Sequence, residues 1–338
     1  MRVLLVDSNH PDPALVREAA EVLRAGGLVA FPTETVYGLG ARLSDERALA
    51  RVFEAKGRPT SHPLIAHVLG EKDAAKLAAS WPELASRMAR AFWPGPLTLV
   101  VPRAAGVSAA ASGGTDSIAV RAPVHPVARA LIAALGEPVA APSANRYQSL
   151  SPTTAAHVAR SLGDRVDVVV DGGSCAAGIE STVLDVRGGV ARVLRPGAID
   201  LPALRAIEPT VAMAAEAPRE DQSRASPGMD ARHYAPRAVL SLAGGRGEAL
   251  AEARARAAAG ERVGLVLRRA LRDEPTESLP GPVRAEALGD DPLAYAHALY
   301  ATLHALDADG VDAIVVEPVP DDERWAAVAD RLRRGAHR

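Results

Sequence analysis

The chain has 338 residues, 48% hydrophobic and 24% charged, a balance that excludes long disorder and fibrous classes and suggests about two domains. No apolar run approaches the roughly 18 residues a membrane-spanning helix needs, so no membrane partner is expected. A formal net charge of −2 offers no global basic field for nucleic acid, and the single cysteine, Cys175, can form neither an internal disulfide nor a cysteine-rich metal site, which points to the cytoplasm.

In chain order, MRVLLVD reads as a first strand rather than a signal peptide, because its short apolar run turns acidic and Pro-rich at once. Asp12 and Pro13 open a helix whose apolar face is Leu15, Val16, Ala19, Val22 and Leu23, closed by Gly26. LVAFP (28–32) is a buried strand. A second helix starts at Ser44, turns Leu49, Val52 and Phe53 inward, and stops at Gly57 and Pro59. Strands are predicted at 64–69, 97–102, 117–121, 138–141, 166–171, 181–186 and 190–194, with helices at 83–92, 126–135 and 153–162. This alternation predicts an α/β domain on a mixed sheet over residues 1–205. Periodicity is lost between 206 and 237, which reads as a linker. It resumes as strand 238–242, helix 247–259, strand 262–268, helix 292–306, strand 311–317 and helix 322–334, a smaller Rossmann-like domain over 238–338. At its first turn, AGGRG (243–247) lacks the third glycine of a dinucleotide fingerprint and reads as a tight turn.

No phosphate loop, GxSxG elbow or HExxH motif is present. The chemistry-bearing residues sit instead at strand ends and in the loops that follow. FPTETVYGLG (31–40) carries three hydroxyls, an acid and two glycines, and reads equally as a turn or a site. Lys56 and Arg58 lie at a predicted helix end, where cations favour the dipole, yet His62 and His67 follow within twelve residues. Arg121 ends an apolar strand, and an inward-facing Arg there needs an anionic partner. Ser143 and Asn145 follow another strand and could bond a ligand or cap a helix. Ser181 and Thr182 start a strand, and Arg195 follows one. Five chain-distant loops thus offer cations and hydroxyls without a nucleophile–base pair. That profile suits a polyanionic, hydroxyl-bearing ligand and catalysis by positioning, as in nucleotidyl transfer.

In this order, FPTETVYGLGA, AKGRPTSHPLIAHV, WPGPLTLV, VRAPVHP, AAPSAN, GIESTV and LRPGAI closely resemble the Sua5/YrdC family of threonylcarbamoyl-AMP synthases. SPGMDARHYAP (226–236) resembles that family's linker, and the C-terminal segment resembles the domain of the long, two-domain Sua5 type. The resemblance implies a YrdC-like twisted mixed-sheet domain with a concave site, and the reaction of L-threonine, bicarbonate and ATP to threonylcarbamoyl-AMP and diphosphate. That product feeds N6-threonylcarbamoylation of tRNA adenosine 37, with tRNA and the threonylcarbamoyl transferase complex as implied partners. By motif position, threonine would be held by Thr35, His67, Arg121, the backbone at Ala141, and Ser181. ATP would lie against Lys56, Arg58, His62, Ser117, Ser143, Asn145, Ser151 and Arg195, with His233 and Tyr234 closing over it from the linker. Lys56, Arg58 and Arg195 would offset phosphate charge during catalysis. Mg²⁺ would arrive with ATP, since no clustered carboxylates suggest a protein-held metal.

The chain departs from the family pattern in three places. ANRYQSLSPT lacks a Gly between the Asn and SPT; Asp230 and Ala231 replace a Lys and an aromatic residue; Asp330 stands where an Asn is usual. Two other activities fit the same domain: carbamoyl transfer of the hydrogenase-maturation type, which one cysteine argues against, and non-catalytic binding of double-stranded RNA, which the near-neutral charge argues against.

Overall fold

The computed structural model describes residues 1–214, 230–271 and 283–337, and the chain divides into two compact units. The first comprises residues 1–147 and 151–230, the second residues 148–150 and 231–338.

The first unit begins with β1 (Arg2–Leu5) and α1 (Pro13–Arg24). The Asp12 carboxylate accepts from the Ala14 N–H and Pro13 occupies the first turn, so both sequence signals for this helix act as read. Then come β2 (Val29–Phe31), β3 (Gly38–Arg42) and α2 (Glu46–Lys56). Asp45 caps α2 at Arg47 and Ala48, and Gly57 closes it in the left-handed region at φ 62°. The chain continues through β4 (Ile65–His67), α3 (Glu71–Lys76), α4 (Glu83–Phe92), β5 (Leu97–Pro102) and β6 (Ser117–Arg121). It completes the unit with α5 (Pro126–Leu135), β7 (Val139–Ala140), α6 (Ala155–Leu162), β8 (Val168–Asp171), β9 (Thr182–Asp185), β10 (Arg192–Arg195), α7 (Leu201–Ile207) and β11 (Ala212–Met213).

These strands form one eleven-stranded mixed sheet in the order β1-β8-β2-β3-β7-β4-β6-β5-β9-β10-β11. Its larger core lies on one face, where Ala66, Leu97, Leu99, Val101, Ile118, Val120 and Leu184 meet Leu49, Val52 and Phe53 of α2 and Met88 of α4. On the other face, α1 and α5 cover β2, β7 and β8 through Ala19, Leu23, Leu131, Phe31, Val139 and Val170.

The second unit carries β12 (Val239–Leu242), α8 (Arg246–Ala258), β13 (Val263–Leu267), β14 (Val283–Ala287), α9 (Pro292–Ala308), β15 (Ala313–Val316) and α10 (Ala326–Ala336). Its four strands are all parallel, in the order β12-β15-β13-β14, the Rossmann-like arrangement expected. In the AGGRG turn, the Gly244 N–H donates to the Glu248 carboxylate at 2.8 Å. A Cβ on Gly244 would stand 2.5 Å from that carboxylate, the end of a flexible side chain that can move aside.

The alternation does not reveal β3, α3, α7, β11 or β14. For β3 the reason is packing: a Cβ on Gly40 would lie 2.8 Å from the Phe31 ring and 2.9 Å from Val139. Its glycines make room for neighbours, the opposite of what strand propensity expects. The expected linker also starts later than 206, because α7 and β11 stay with the first unit and β11 pairs with β10. Residues 215–229, which include the SPGM of the expected linker motif, lie outside the described residues.

Candidate active site

Strand register assembles the site. Along β6, Ser117, Ala119 and Arg121 point to one face by alternation, as do Ile65 and His67 along β4. The parallel pairing sets Ile65 beside Ala119 and His67 beside Arg121. On the antiparallel β5, Leu99 faces Val120, which brings Thr98 level with Arg121. β9 runs parallel to β5 with Thr182 beside Leu97, so Ser181 arrives at the same end. Arg195 of β10 faces Val183 across an irregularity in the register. Between the two ends of this face lies a small apolar patch of Ile65, Val100, Ala119 and Val183. Four residue steps along β6 carry the chain from Ser117 to Arg121, about 13 Å.

At the Arg121 end the polar groups are buried and interlocked. Arg121 donates from Nη1 to Thr35 Oγ1 at 2.9 Å and from Nε to Gly95 O at 3.4 Å. Its Nη2 lies 2.7 Å from Glu34 Oε1, without the alignment of a hydrogen bond. A guanidinium this buried would be costly unpaired, and Glu34 supplies the counter-charge. Thr35 is held in turn by Thr33, whose Oγ1 lies 2.9 Å away and also donates to Val36 O. Ser181 and Thr98 share a hydroxyl–hydroxyl bond of 2.7 Å. Arg195 donates to Ser181 O from Nε and Nη2 at 3.2 and 2.9 Å, and to Ser181 Oγ at 3.1 Å. Ser151 donates to Glu180 at 2.5 Å, which ties it to the residue beside Ser181.

His67 belongs to this end. Its Nδ1 lies 3.1 Å from Ile65 O, a carbonyl that can only accept, so this contact is a hydrogen bond when Nδ1 carries the proton. Burial first, and the Arg121 charge second, hold the ring's pKa down to about 3, so the imidazole is neutral at pH 7.

The opposite end collects the other candidates. Lys56, delivered by the end of α2, donates to Ser143 O at 2.5 Å, Asn145 O at 2.6 Å and Asn145 Oδ1 at 3.4 Å. All three ammonium protons thus fasten the AAPSAN loop. Burial and the neighbouring Arg58 push the Lys56 pKa well below its usual value. Arg58 donates to Pro63 O at 3.0 Å. His62 packs edge-on against Tyr147, and both reach Asp230: the Tyr147 hydroxyl at 3.0 Å and His62 Nδ1 at 3.7 Å. Ser117 bonds Thr115 at 3.1 Å, and Ala141 donates its N–H to Ile65 O in mid-face.

The sequence-derived ATP set is therefore split. Lys56, Arg58, His62, Ser117, Ser143 and Asn145 share one end, while Ser151 and Arg195 stand with Ser181 at the other. His233 and Tyr234 belong to the second unit, where the Arg331 guanidinium lies 4.7 Å over the Tyr234 ring and Tyr300 packs beside it. Sequence reasoning missed Glu34 and Thr98. Thr98 had a signal, as the one polar residue in the run LTLVV; Glu34 had only its place in the TETVY run. Among the described residues, no group of three or more His, Cys, Asp and Glu side chains is placed to hold a metal ion.

Residues 21–197 match the family of Sua5, YciO and YrdC proteins, described as "Telomere recombination", and residues 199–337 match "Threonylcarbamoyl-AMP synthase, C-terminal domain". Two relatives named threonylcarbamoyl-AMP synthase extend over nearly the full chain. That of Pyrococcus abyssi is 39% identical over 95% of this chain and 94% of its own, and that of Bacillus subtilis 36% identical over 98% and 94%. The crystal structure of P. abyssi Sua5 complexed with L-threonine superposes with a TM-score of 0.92 at 36% identity, covering 99% of this chain and 98% of that one.

Proposed function

Because the chain belongs to the Sua5 family of threonylcarbamoyl-AMP synthases, nucleotidyltransferases that serve the t6A modification of tRNA, we propose that one sheet face of its first unit performs the whole reaction. L-Threonine lies at the Arg121 end. There Arg121 takes the carboxylate, while Thr35, His67, Ser181 and the backbone at Ala141 receive the rest of the amino acid. ATP spans from Lys56, Arg58, His62, Ser117, Ser143 and Asn145 toward Ser151 and Arg195. Its α-phosphorus thereby comes over the apolar patch, near the amino acid.

The chemistry follows from this arrangement. The threonine amine and bicarbonate give a carbamate and water. A carbamate oxygen then attacks the α-phosphorus, forming the mixed anhydride as the bond to diphosphate breaks. The carbamate is already anionic, so no side chain need remove a proton in the second step. Arg195 and Arg58 offset charge on the phosphates, and Lys56 acts by holding the Ser143–Asn145 carbonyls in place. A neutral His67 adds no second cation beside Arg121, which keeps the threonine end selective for one carboxylate. Mg²⁺ enters as part of the nucleotide substrate, and no step is assigned to it.

Each step is read with the enzyme in the cytoplasm, where the transferase complex and tRNA would consume the product. The full-length relatives set aside the hydrogenase-maturation and RNA-binder readings of the activity.

What carries this reading is the register that sets His67, Arg121 and Thr98 level at one end of an apolar strip, with Ser181, just before β9, bonded to Thr98 there. Diphosphate release from ATP tests it. Release should require both threonine and bicarbonate; release that continues with either omitted refutes the reading.

A further inference from the structure

We infer that Gly113 is a positioning residue for the nucleotide: its loop braces the segments that carry Lys56, Arg58, His62 and Ser117, and the brace fits because no side chain stands at 113. The inference rests on the reading that those segments hold ATP.

The loop joins β5 to β6 and reaches three of these segments. In its middle lies a turn of 3-10 helix, Ala109–Ser112, capped by Ser108. The Ser108 hydroxyl donates to Glu46 Oε1 at 2.8 Å, in the first turn of α2, the helix that ends at Lys56. Ala111 O accepts from Leu64 N at 2.8 Å, one residue past the Pro63 carbonyl that Arg58 bonds. At the far end of the loop, the Thr115 hydroxyl lies 3.1 Å from that of Ser117, the first residue of β6. Among the described residues, the side chains of Arg121, His67 and Ser181 make no bond to this loop. The brace therefore belongs to one end of the sheet face alone.

Gly113 makes its closest approach. A Cβ there would stand 2.3 Å from Ser61 O, 2.8 Å from the Ser61 carbonyl carbon and 3.0 Å from Pro63 N. Backbone is what it would meet, so no flexible side chain can turn aside. The loop is also the stiffer partner. The hydroxyls of Ser112 and Thr115 each bond the other's carbonyl at 2.8 Å. Arg103 clamps the loop, donating from Nε to Thr115 O at 3.2 Å and from Nη1 to Val107 O at 2.5 Å. A methyl group at 113 thus displaces residues 61–63 rather than the loop. The carbonyl that holds Arg58 and the ring of His62 move with them.

Gly113→Ala in the full chain should raise KM for ATP about tenfold and leave KM for threonine within about twofold. Gly114→Ala is the control. Gly114 also has a left-handed backbone, at φ 81°, but its Cβ would meet nothing within 4 Å. It carries the backbone strain without the collision, and both KM values should stay at wild type. A folded Gly113→Ala with unchanged KM for ATP overturns the inference. So does an equal rise in both KM values, or a Gly114→Ala that matches it. If Gly113→Ala does not fold, Thr115→Val decides. It loosens the loop without a collision and should raise KM for ATP about fivefold, with Thr115→Ser near wild type; an unchanged KM overturns the inference here too. Arg58→Ala tests the underlying reading separately. If it raises KM for ATP and the loop variants do not, the inference alone fails; if it leaves that KM unchanged, the nucleotide lies elsewhere.

Discussion

Gly197 packs directly on the backbone of Ser181: a Cβ on Gly197 would stand 2.4 Å from the Ser181 carbonyl carbon, 2.4 Å from Thr182 N and 2.5 Å from Glu180 O. The contact is fixed further by Thr182, whose hydroxyl donates to Ile199 O at 2.6 Å and accepts from Ile199 N at 3.0 Å. The turn after β10 and the segment before β9 thus behave as one piece, and that piece carries both Ser181 and Arg195.

A single methyl group at this point should disturb both the threonine contact proposed for Ser181 and the ATP contact proposed for Arg195. Gly197→Ala cannot be absorbed by a flexible side chain, since backbone is what it meets. The expected cost is about 1–3 kcal/mol of stability, with a raised KM for threonine as Ser181 moves. Thermal melting together with steady-state kinetics checks both. A variant with wild-type melting and wild-type KM would mean that this turn does not hold Ser181.

Arg121 and Lys56 should fail differently. Arg121→Ala removes a charged, bidentate-capable donor at the threonine end and should raise KM for threonine by roughly a hundredfold or more, with KM for ATP nearly unchanged. Varying each substrate at saturation of the other reads the contrast directly. Equal effects on the two KM values would contradict the separation of the ends.

Lys56→Met keeps bulk and removes the three bonds to Ser143 and Asn145. Two buried carbonyls lose their donor, so a stability loss of about 2–4 kcal/mol is expected, alongside poorer use of ATP. Chemical denaturation measures the first and nucleotide titration the second. If ATP turnover falls with stability intact, Lys56 acts on the phosphates themselves rather than through the loop.

His67 gives the enzyme an acid sensitivity of definite sign. The ring titrates near 6.5 when unfolded and at about 3 when folded. In that window the unfolded chain binds a proton that the folded chain refuses, so stability falls as pH drops from 6.5 toward 3. Linkage sets the slope at about 1.4 kcal/mol per pH unit, or roughly 3 kcal/mol between pH 6 and 4. Burial lowers His125 as well, which adds loss of the same sign. Denaturation midpoints of the wild type and His67→Gln at pH 7, 5 and 4 separate the contribution. The variant should lose less on acidification, and parallel curves would remove His67 from the account.

Most helices and strands were legible locally, because their signals are local. Asp12 with Pro13 at the start of α1 and Gly57 at the end of α2 mark helix ends by capping chemistry that acts within a few residues. The ordered motifs from FPTETVYGLGA to LRPGAI named the family and most of the polar residues at the site. β3 stayed hidden because its glycines answer to Phe31 and Val139, side chains on neighbouring strands. Glu34 stayed hidden because an acid in a hydroxyl-rich loop looks solvated until Arg121 is seen against it.

The sequence by itself determined most of the elements, the two-domain α/β plan and the chemical types of the site residues. Only the tertiary structure decided their grouping: Arg195 with Ser181, Lys56 with the Ser143–Asn145 loop, Glu34 with Arg121. Helix ends and strand runs are fixed by interactions among near neighbours in the chain. The site is fixed by strand register, which depends on how side chains far apart in sequence fill the same space, and a one-residue slip would turn Arg121 to the other face.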